Sequence, residues 1–150
     1  MRAGLLTLRD ATFLKEDVLS NSPQSVFDLR EAAGRAGAVA CLARILSSKN
    51  TALANDLELL TSAVEAFKNV NTGRGRLVDV RKAVAAGVPA ALGSLLVRCA
   101  SSEDSGGFSP SPREEVDTLA ASTANACNVL VFCARAAAVP GMLAAALPPP

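Results

Sequence analysis

The sequence of 150 residues contains no histidine, no tyrosine and no tryptophan. Histidine is the commonest general base near neutral pH, so a serine or cysteine triad lacks its usual partner in this chain. The absence of histidine also leaves zinc sites of mixed cysteine and histidine ligands incomplete. No P-loop and no paired-carboxylate motif beside a glycine-rich turn takes their place. We therefore expect a protein that is not an enzyme and that uses no metal and no cofactor.

Cysteine is scarce, and no two cysteines form a CxxC pair: the four are Cys41, Cys99, Cys127 and Cys133. The first, third and fourth of these lie on apolar helical faces, where a small buried thiol is the ordinary interpretation. The first twenty residues carry no signal-peptide cleavage pattern, and three acidic residues argue against a transit peptide: Asp10, Glu16 and Asp17. We expect a reducing compartment, the cytoplasm or the nucleus.

The chain has almost no net charge, because its 15 basic residues are balanced by 14 acidic ones. Such a chain has no general field that would attract nucleic acid or an anionic membrane. Its densest basic stretch, residues 72–82, contains one acidic residue and no aromatic side chain for base stacking. We interpret this stretch as a solvated turn between helices with four basic residues: Arg74, Arg76, Arg81 and Lys82.

A long uninterrupted hydrophobic run is absent as well. Residues 119–147 form the most apolar tract, but polar residues and a proline interrupt it at Asn125, Asn128, Arg135 and Pro140. A membrane span needs about 20 predominantly apolar residues. We therefore expect a buried helix in this tract and no membrane contact.

What the chain has in abundance is alanine and helical periodicity. An alanine-rich, aromatic-poor composition favours closely packed helices over sheets. Apolar residues recur every three or four positions in residues 57–70 and 114–134, which predicts two one-sided helices. These two stripes are Leu57, Leu60, Val64 and Phe67, and Val116, Leu119, Thr123, Ala126, Leu130 and Cys133. The sequence predicts an all-α fold with helices near 3–19, 25–33, 38–47, 53–70, 77–86, 89–100, 114–134 and 139–147.

Two segments repeat one pattern at a distance of fifty residues. Gly37 and Gly87 are each followed by apolar residues five, eight and nine positions later: Leu42, Ile45 and Leu46, and Leu92, Leu95 and Leu96. We expect each glycine to lie at a bend between two helices, because glycine tolerates positive φ. Pro89 fits the first turn of the helix after Gly87. Such self-similarity is typical of repeat proteins.

Four short segments resemble the armadillo repeat family. "RAGAVACLARIL" (35–46) and "AAGVPAALGSLL" (85–96) are similar to its second helix, and "AFKNV" (66–70) and "ACNVL" (126–130) to the end of its third. The resemblance implies a right-handed α-solenoid of about two complete repeats plus partial flanking ones, and a related HEAT repeat remains the alternative. It divides a single domain, residues 1–150, into a partial repeat (1–24), repeat 1 (25–71), repeat 2 (72–134, with a long loop at 100–113) and a partial repeat with a tail (135–150).

The positions opposite the two apolar stripes match one for one at an offset of 59 residues. They are Glu58, Ser62, Glu65 and Asn69 in the first long helix, and Asp117, Ala121, Ala124 and Asn128 in the second. The resemblance implies that such faces line a groove in which the asparagines bind the backbone of an extended peptide. Carboxylates beside them favour a basic partner. The competing interpretation is an exposed helix face that is merely solvated.

We take Glu58, Ser62, Glu65, Asn69, Asp117 and Asn128 as candidate partner-binding residues on one exposed surface. In nuclear-import receptors of this family a tryptophan precedes the asparagine by four positions, but Glu65 and Ala124 stand there, which argues against that function. The favoured function is a non-catalytic protein–protein interaction module that binds neither nucleic acid nor membrane. The alternative is a structural fragment of a larger repeat protein, whose open ends contact further repeats or a second copy of the chain.

Overall fold

The computed structural model describes residues 2–12, 23–70, 77–101, 107–108 and 112–138, and every regular element in these ranges is a helix. The all-α prediction is therefore confirmed for the described residues. The predicted helical stretches 13–19 and 139–147 lie outside them, as do Arg74 and Arg76 of the basic stretch. The helices are α1 (Arg2–Thr12), α2 (Pro23–Arg35), α3 (Ala38–Leu46), α4 (Thr51–Ala54), α5 (Leu57–Val70), α6 (Leu77–Ala85), α7 (Val88–Ala100) and α8 (Arg113–Ala138).

The prediction of a single helix over 53–70 is wrong, because the helix is interrupted between α4 and α5. Capping residues at both starts explain the break. The Asn50 side chain accepts a hydrogen bond from the amide of Ala52 at 3.0 Å, and the Asp56 carboxylate accepts one from the amide of Leu59 at 3.0 Å. Asparagine and aspartate satisfy first-turn amides in this way and so favour a new helix start.

Gly37 and Gly87 lie at the bends that the sequence predicts, with φ of +91° and +79°. The two turns also share one hydrogen-bond pattern. Each glycine amide donates to the carbonyl three residues earlier, at 3.2 and 3.1 Å, and each glycine carbonyl accepts from the amide four residues later, at 3.3 and 3.1 Å. Pro89 lies in the first turn of α7, as expected. The pairs α2–α3 and α6–α7 are thus joined by the same left-handed glycine turn.

Helix α5 lies at the centre of the fold, where it contacts α1, α3 and α8. Both predicted apolar stripes are confirmed, since every one of their residues is buried. Phe67 is fully buried in α5 and Leu119 in α8, and the core continues through Leu42 of α3 and Leu92 of α7. The two long helices therefore pack together as parts of one core.

Most of α8, Arg113–Arg135, has the length and apolar composition of a membrane span. One such helix is weak evidence for a membrane, because a core helix of a soluble protein passes the same test. In this structure α8 packs against α5, α6 and α7 along its apolar stripe.

The cysteines do not all follow the sequence interpretation. Cys41 is exposed, so its expected burial is wrong, because the α3 face that carries it lies away from the core. Cys127 is half-buried, and Cys99 and Cys133 are buried. Burial raises the pKa of these last three thiols, which keeps them protonated at neutral pH.

Candidate functional site

The predicted partner-binding residues do not share one exposed surface. Ser62 and Asn69 are only 1% and 3% exposed, so that part of the prediction is wrong. The reason is that α1 packs on the face of α5 that was expected to be open. The Arg9 guanidinium donates to the Ser62 hydroxyl at 3.0 Å, and the Asn69 amide donates to the Arg9 carbonyl at 3.3 Å. These two polar side chains fasten α1 to α5.

Glu65 is half-buried between α5 and α8. Its carboxylate pairs with Lys68 at 2.7 Å and accepts a hydrogen bond from Ser122, which is 7% exposed. Burial is the largest single influence on the Glu65 pKa and raises it. The hydrogen bonds from Lys68 and Ser122, together with nearby positive charge, outweigh burial and bring the pKa below its usual range. Glu65 therefore bridges α5 and α8 as a charged group.

Asp117 and Asn128 lie elsewhere, on the outer side of α8. Both are exposed, and so are Ala121 and Ala124 between them. Asn69 and Asn128 therefore belong to different environments, one beneath α1 and the other facing solvent, and the expected pair of equivalent asparagines in one groove is wrong. Both apolar stripes are buried, but the α8 side chain that hydrogen-bonds Glu65 is Ser122, and neither Asp117 nor Asn128 takes that place.

The structure has a different concave site, a cleft where the first turns of α5 and α8 approach α1. Its volume is about 470 Å³. Two of the predicted residues, Glu58 and Ser62, line it. The other lining residues are Arg9, Asn55, Asp56, Leu57, Thr61, Glu115 and Thr118. Sequence reasoning missed Glu115 and Thr118, although they flank Asp117, because the rotation of α8 about its axis decides which neighbour faces α5.

Two of the lining residues, Asn55 and Asp56, lie in the interruption between α4 and α5. Arg98 of α7 donates to the carbonyl of Ala54 at 2.6 Å and to the Asn55 side chain at 2.7 Å. The same guanidinium stacks on the ring of Phe108, 4.0 Å from its centroid. The two hydrogen bonds come from one planar, charged guanidinium and are therefore strong and directional. Arg98 thus fixes the position of Asn55 and of Asp56, the capping residue next to it.

The cleft is acidic and rich in hydrogen-bonding groups. Three carboxylates, from Asp56, Glu58 and Glu115, line it together with one guanidinium, that of Arg9. That guanidinium also pairs with the Asp10 carboxylate at 2.9 Å. In the described ranges no three cysteine, aspartate or glutamate side chains gather closely enough to hold a metal ion. The arrangement favours a cationic, hydrogen-bonding ligand.

No protein-family model matches the sequence, and neither a curated protein nor a solved structure shows significant similarity to it.

Proposed function

We propose that this chain is a non-catalytic protein-interaction module, an α-solenoid of armadillo-like repeats whose acidic cleft binds a basic, extended segment of a partner protein. The observation that carries the proposal is the open cleft between α1, α5 and α8, lined by Asp56, Glu58 and Glu115. Binding is its role, with no chemistry, cofactor, nucleic acid or membrane, and it operates in the cytoplasm or the nucleus.

The repeat architecture is supported by equivalent packing of equivalent helices. The turns at Gly37 and Gly87 share dihedral angles and hydrogen bonds. Helix α3 contacts α7, its counterpart fifty residues later, and α5 contacts α8, the other long helix. α1 contacts α5 as the last helix of a preceding repeat would. Side-by-side contact between corresponding helices is what a solenoid requires.

The partner chemistry follows from the shape and charge of the cleft. An open cleft between helices admits an extended segment, whereas a lone side chain would leave much of about 470 Å³ unfilled. Carboxylates along it favour lysine and arginine in that segment and raise the association rate. Thr61 and Thr118 also line the cleft. The Thr118 hydroxyl donates to the carbonyl of Glu114 at 2.9 Å, so its oxygen can still accept a hydrogen bond from a backbone amide of such a segment.

The proposal is tested with a short fluorescent peptide rich in lysine and arginine and an acidic peptide of equal length. We expect fluorescence anisotropy to detect binding of the basic peptide alone. Glu115→Lys should weaken that binding about tenfold, because it places a like charge against the peptide. The effect should shrink as salt rises, since the screening length falls from about 10 Å at 0.1 M to about 3 Å at 1 M.

Glu114→Lys is the matched control. Glu114 precedes Glu115 in the first turn of α8 and is likewise exposed, but it does not line the cleft. The same charge change there should alter peptide affinity by less than about twofold, because it acts only through the electrostatic potential of the protein as a whole. Equal losses from the two variants would mean that only net charge matters, and the cleft would not be the binding site.

A second candidate is a structural role within a larger armadillo or HEAT repeat protein. It is favoured by large apolar side chains that remain exposed on the second repeat, at Val97 of α7 and at Val131 and Phe132 of α8. In a longer solenoid such side chains would pack against a following repeat. Extending the chain with further repeats and measuring the free energy of unfolding separates the two. A large gain supports this candidate, and unchanged stability with retained peptide binding supports the cleft.

A further inference from the structure

The outer side of α8 carries a continuous exposed stripe along most of the helix. At a rotation of 100° per residue, the exposed side chains of this stripe all project from one face of α8. Val131 and Phe132 are 50% and 66% exposed and lie next to each other on a helix whose opposite face is buried in the core. The stripe runs through Glu114, Asp117, Ala121, Ala124, Asn125, Asn128, Val131, Phe132 and Arg135. We call it the α8 stripe.

The α8 stripe is complementary to itself when it is reversed end for end. Its first half is acidic and small, with Asp117 followed by two alanines, and its second half is bulky and basic, with Phe132 followed by Arg135. The separation from Asp117 to Arg135 is eighteen residues, or about 27 Å along the axis. Two copies that cross antiparallel would therefore place each bulky half over the other's small half.

We propose that the α8 stripe is a two-fold self-association surface, on which a second copy of this chain binds with its α8 antiparallel. With the two-fold axis at the level of Ala126, Asp117 lies opposite Arg135 of the second copy, and Ala121 lies opposite Val131 of the second copy. The same register brings Asn128 opposite Ala124 of the second copy, next to Asn125. The two-fold symmetry repeats each contact once, so the dimer has two ion pairs, two apolar contacts and two sets of facing amides in all.

The alanines determine how closely the helices approach. Because Ala121 projects only a methyl group, Val131 of the second copy can fill the space above it, with Phe132 beside it, as ridges of one helix fill grooves of another. Asp117 already pairs with Arg113 at 2.9 Å, but both side chains are more than half exposed, so that pair is weak and can be shared. One helix pair buries less than a standard interface, so the dimer is a weak, concentration-dependent one.

The interface is independent of the acidic cleft. Glu115 and Thr118 face α5, whereas Asp117 and Ala121 face away from it. Peptide binding and self-association are thus separable, and each can fail without the other.

Charge reversal tests the antiparallel register. Sedimentation velocity of the full chain from about 1 µM to about 1 mM should show a monomer–dimer equilibrium. Asp117→Arg and Arg135→Asp should each weaken the homodimer on the order of tenfold, because each places two like-charged pairs across the axis. Labelled Asp117→Arg protein mixed with unlabelled Arg135→Asp protein should form a heterodimer of near wild-type affinity. In that heterodimer both pairs across the axis again join opposite charges.

Phe132→Glu should abolish the dimer, and Leu29→Glu on α2 is its control, since Leu29 is also a half-exposed apolar residue. Circular dichroism should show unchanged helicity for both. Rescue by the mixture supports the proposal. A wild type that is monomeric at about 1 mM overturns it. A dimer that Phe132→Glu breaks but the mixture does not restore also overturns it. So does a wild-type monomer whose melting temperature falls with Phe132→Glu, which would indicate that residues 139–150 cover the stripe.

Discussion

Replacing Gly87 with alanine should lower the free energy of unfolding by about 1–2 kcal/mol. Gly87 has φ of +79°, in the left-handed region, where an L-residue with a Cβ crowds its own backbone. Beyond the residue itself and its two chain neighbours, a Cβ at this position meets no atom within 4 Å. The whole cost therefore comes from the backbone, and no lost contact or cavity contributes to it.

Gly93 provides the matched control, inside the helix that begins just after Gly87. It lies inside α7 with no positive φ, and a Cβ built there also meets nothing within 4 Å. Alanine should stabilise this position by about 0.5–1 kcal/mol, because glycine is the more flexible residue in the unfolded chain. The same substitution is thus expected to change stability with opposite signs at the turn before α7 and inside α7. Gly37→Ala should behave as Gly87→Ala does, because its φ is +91°.

Urea denaturation followed by circular dichroism at 222 nm measures these differences. A destabilisation of 1 kcal/mol corresponds to a melting temperature about 2–4 °C lower in a chain of this size. Unchanged stability for both Gly37→Ala and Gly87→Ala, or the same sign for Gly87→Ala and Gly93→Ala, would show that the two glycine turns are not left-handed.

Three further outcomes follow from side chains that join the helices. Arg98→Ala should lower the free energy of unfolding by about 2 kcal/mol in urea denaturation, since two charged hydrogen bonds are lost, and Arg98→Lys should recover only part of it. Asn69→Ala should destabilise the fold by about 1–2 kcal/mol, whereas Asn128→Ala should change the melting temperature little because Asn128 is exposed; equal effects would contradict their different burial. Glu65→Gln should cost stability at pH 7, and the difference from wild type should shrink as pH falls below the ordinary glutamate pKa of about 4.3 and vanish only below the depressed folded-state pKa. The folded-state pKa of Glu65 is depressed, so its carboxylate stabilises the fold above the unfolded pKa and loses that effect as it is protonated. Urea denaturation of both proteins at a series of pH values measures this, and a difference in unfolding free energy that stays constant with pH would refute it.

The helices and the joints could be predicted from the sequence because their signals are local. Apolar spacing located α5 and α8 and named the buried stripe of each, down to Thr123, whose hydroxyl donates to the carbonyl of Leu119 at 2.7 Å. The glycines located the two bends, since positive φ is a property of one residue. The caps at Asn50 and Asp56 are local signals too, but the prediction of one helix over 53–70 overlooked them.

The burial of the second face of α5 could not be predicted in the same way. Periodicity identifies one apolar stripe, but Ser62, Ala63 and Ala66 are small residues that allow another helix to approach without being strongly hydrophobic. Asn69 is polar and looks solvated in the sequence. It is buried because a backbone carbonyl from a residue sixty positions away accepts its hydrogen bond.

The cleft depended on the same kind of long-range information. Glu58 and Ser62 were identified from their helix, but their neighbours across the cleft are set by how α8 rotates against α5. A rotation by one residue, about 100°, exchanges Asp117 for Thr118 on the inner side. Sequence spacing fixes which residues share a face, and only packing decides which face turns inward.

A chemical-shift titration of the ¹⁵N-labelled protein with the basic peptide tests the proposed cleft most directly. We expect the amide signals that move in proportion to bound peptide to cluster at residues 55–62 and 115–118, the segments of α5 and α8 that line the cleft. Signals on the outer side of α8, such as Asn128 and Phe132, should stay in place under the same conditions. Saturable shifts centred on any other face, or no saturable shifts in the presence of the basic peptide, would contradict the cleft as the binding site.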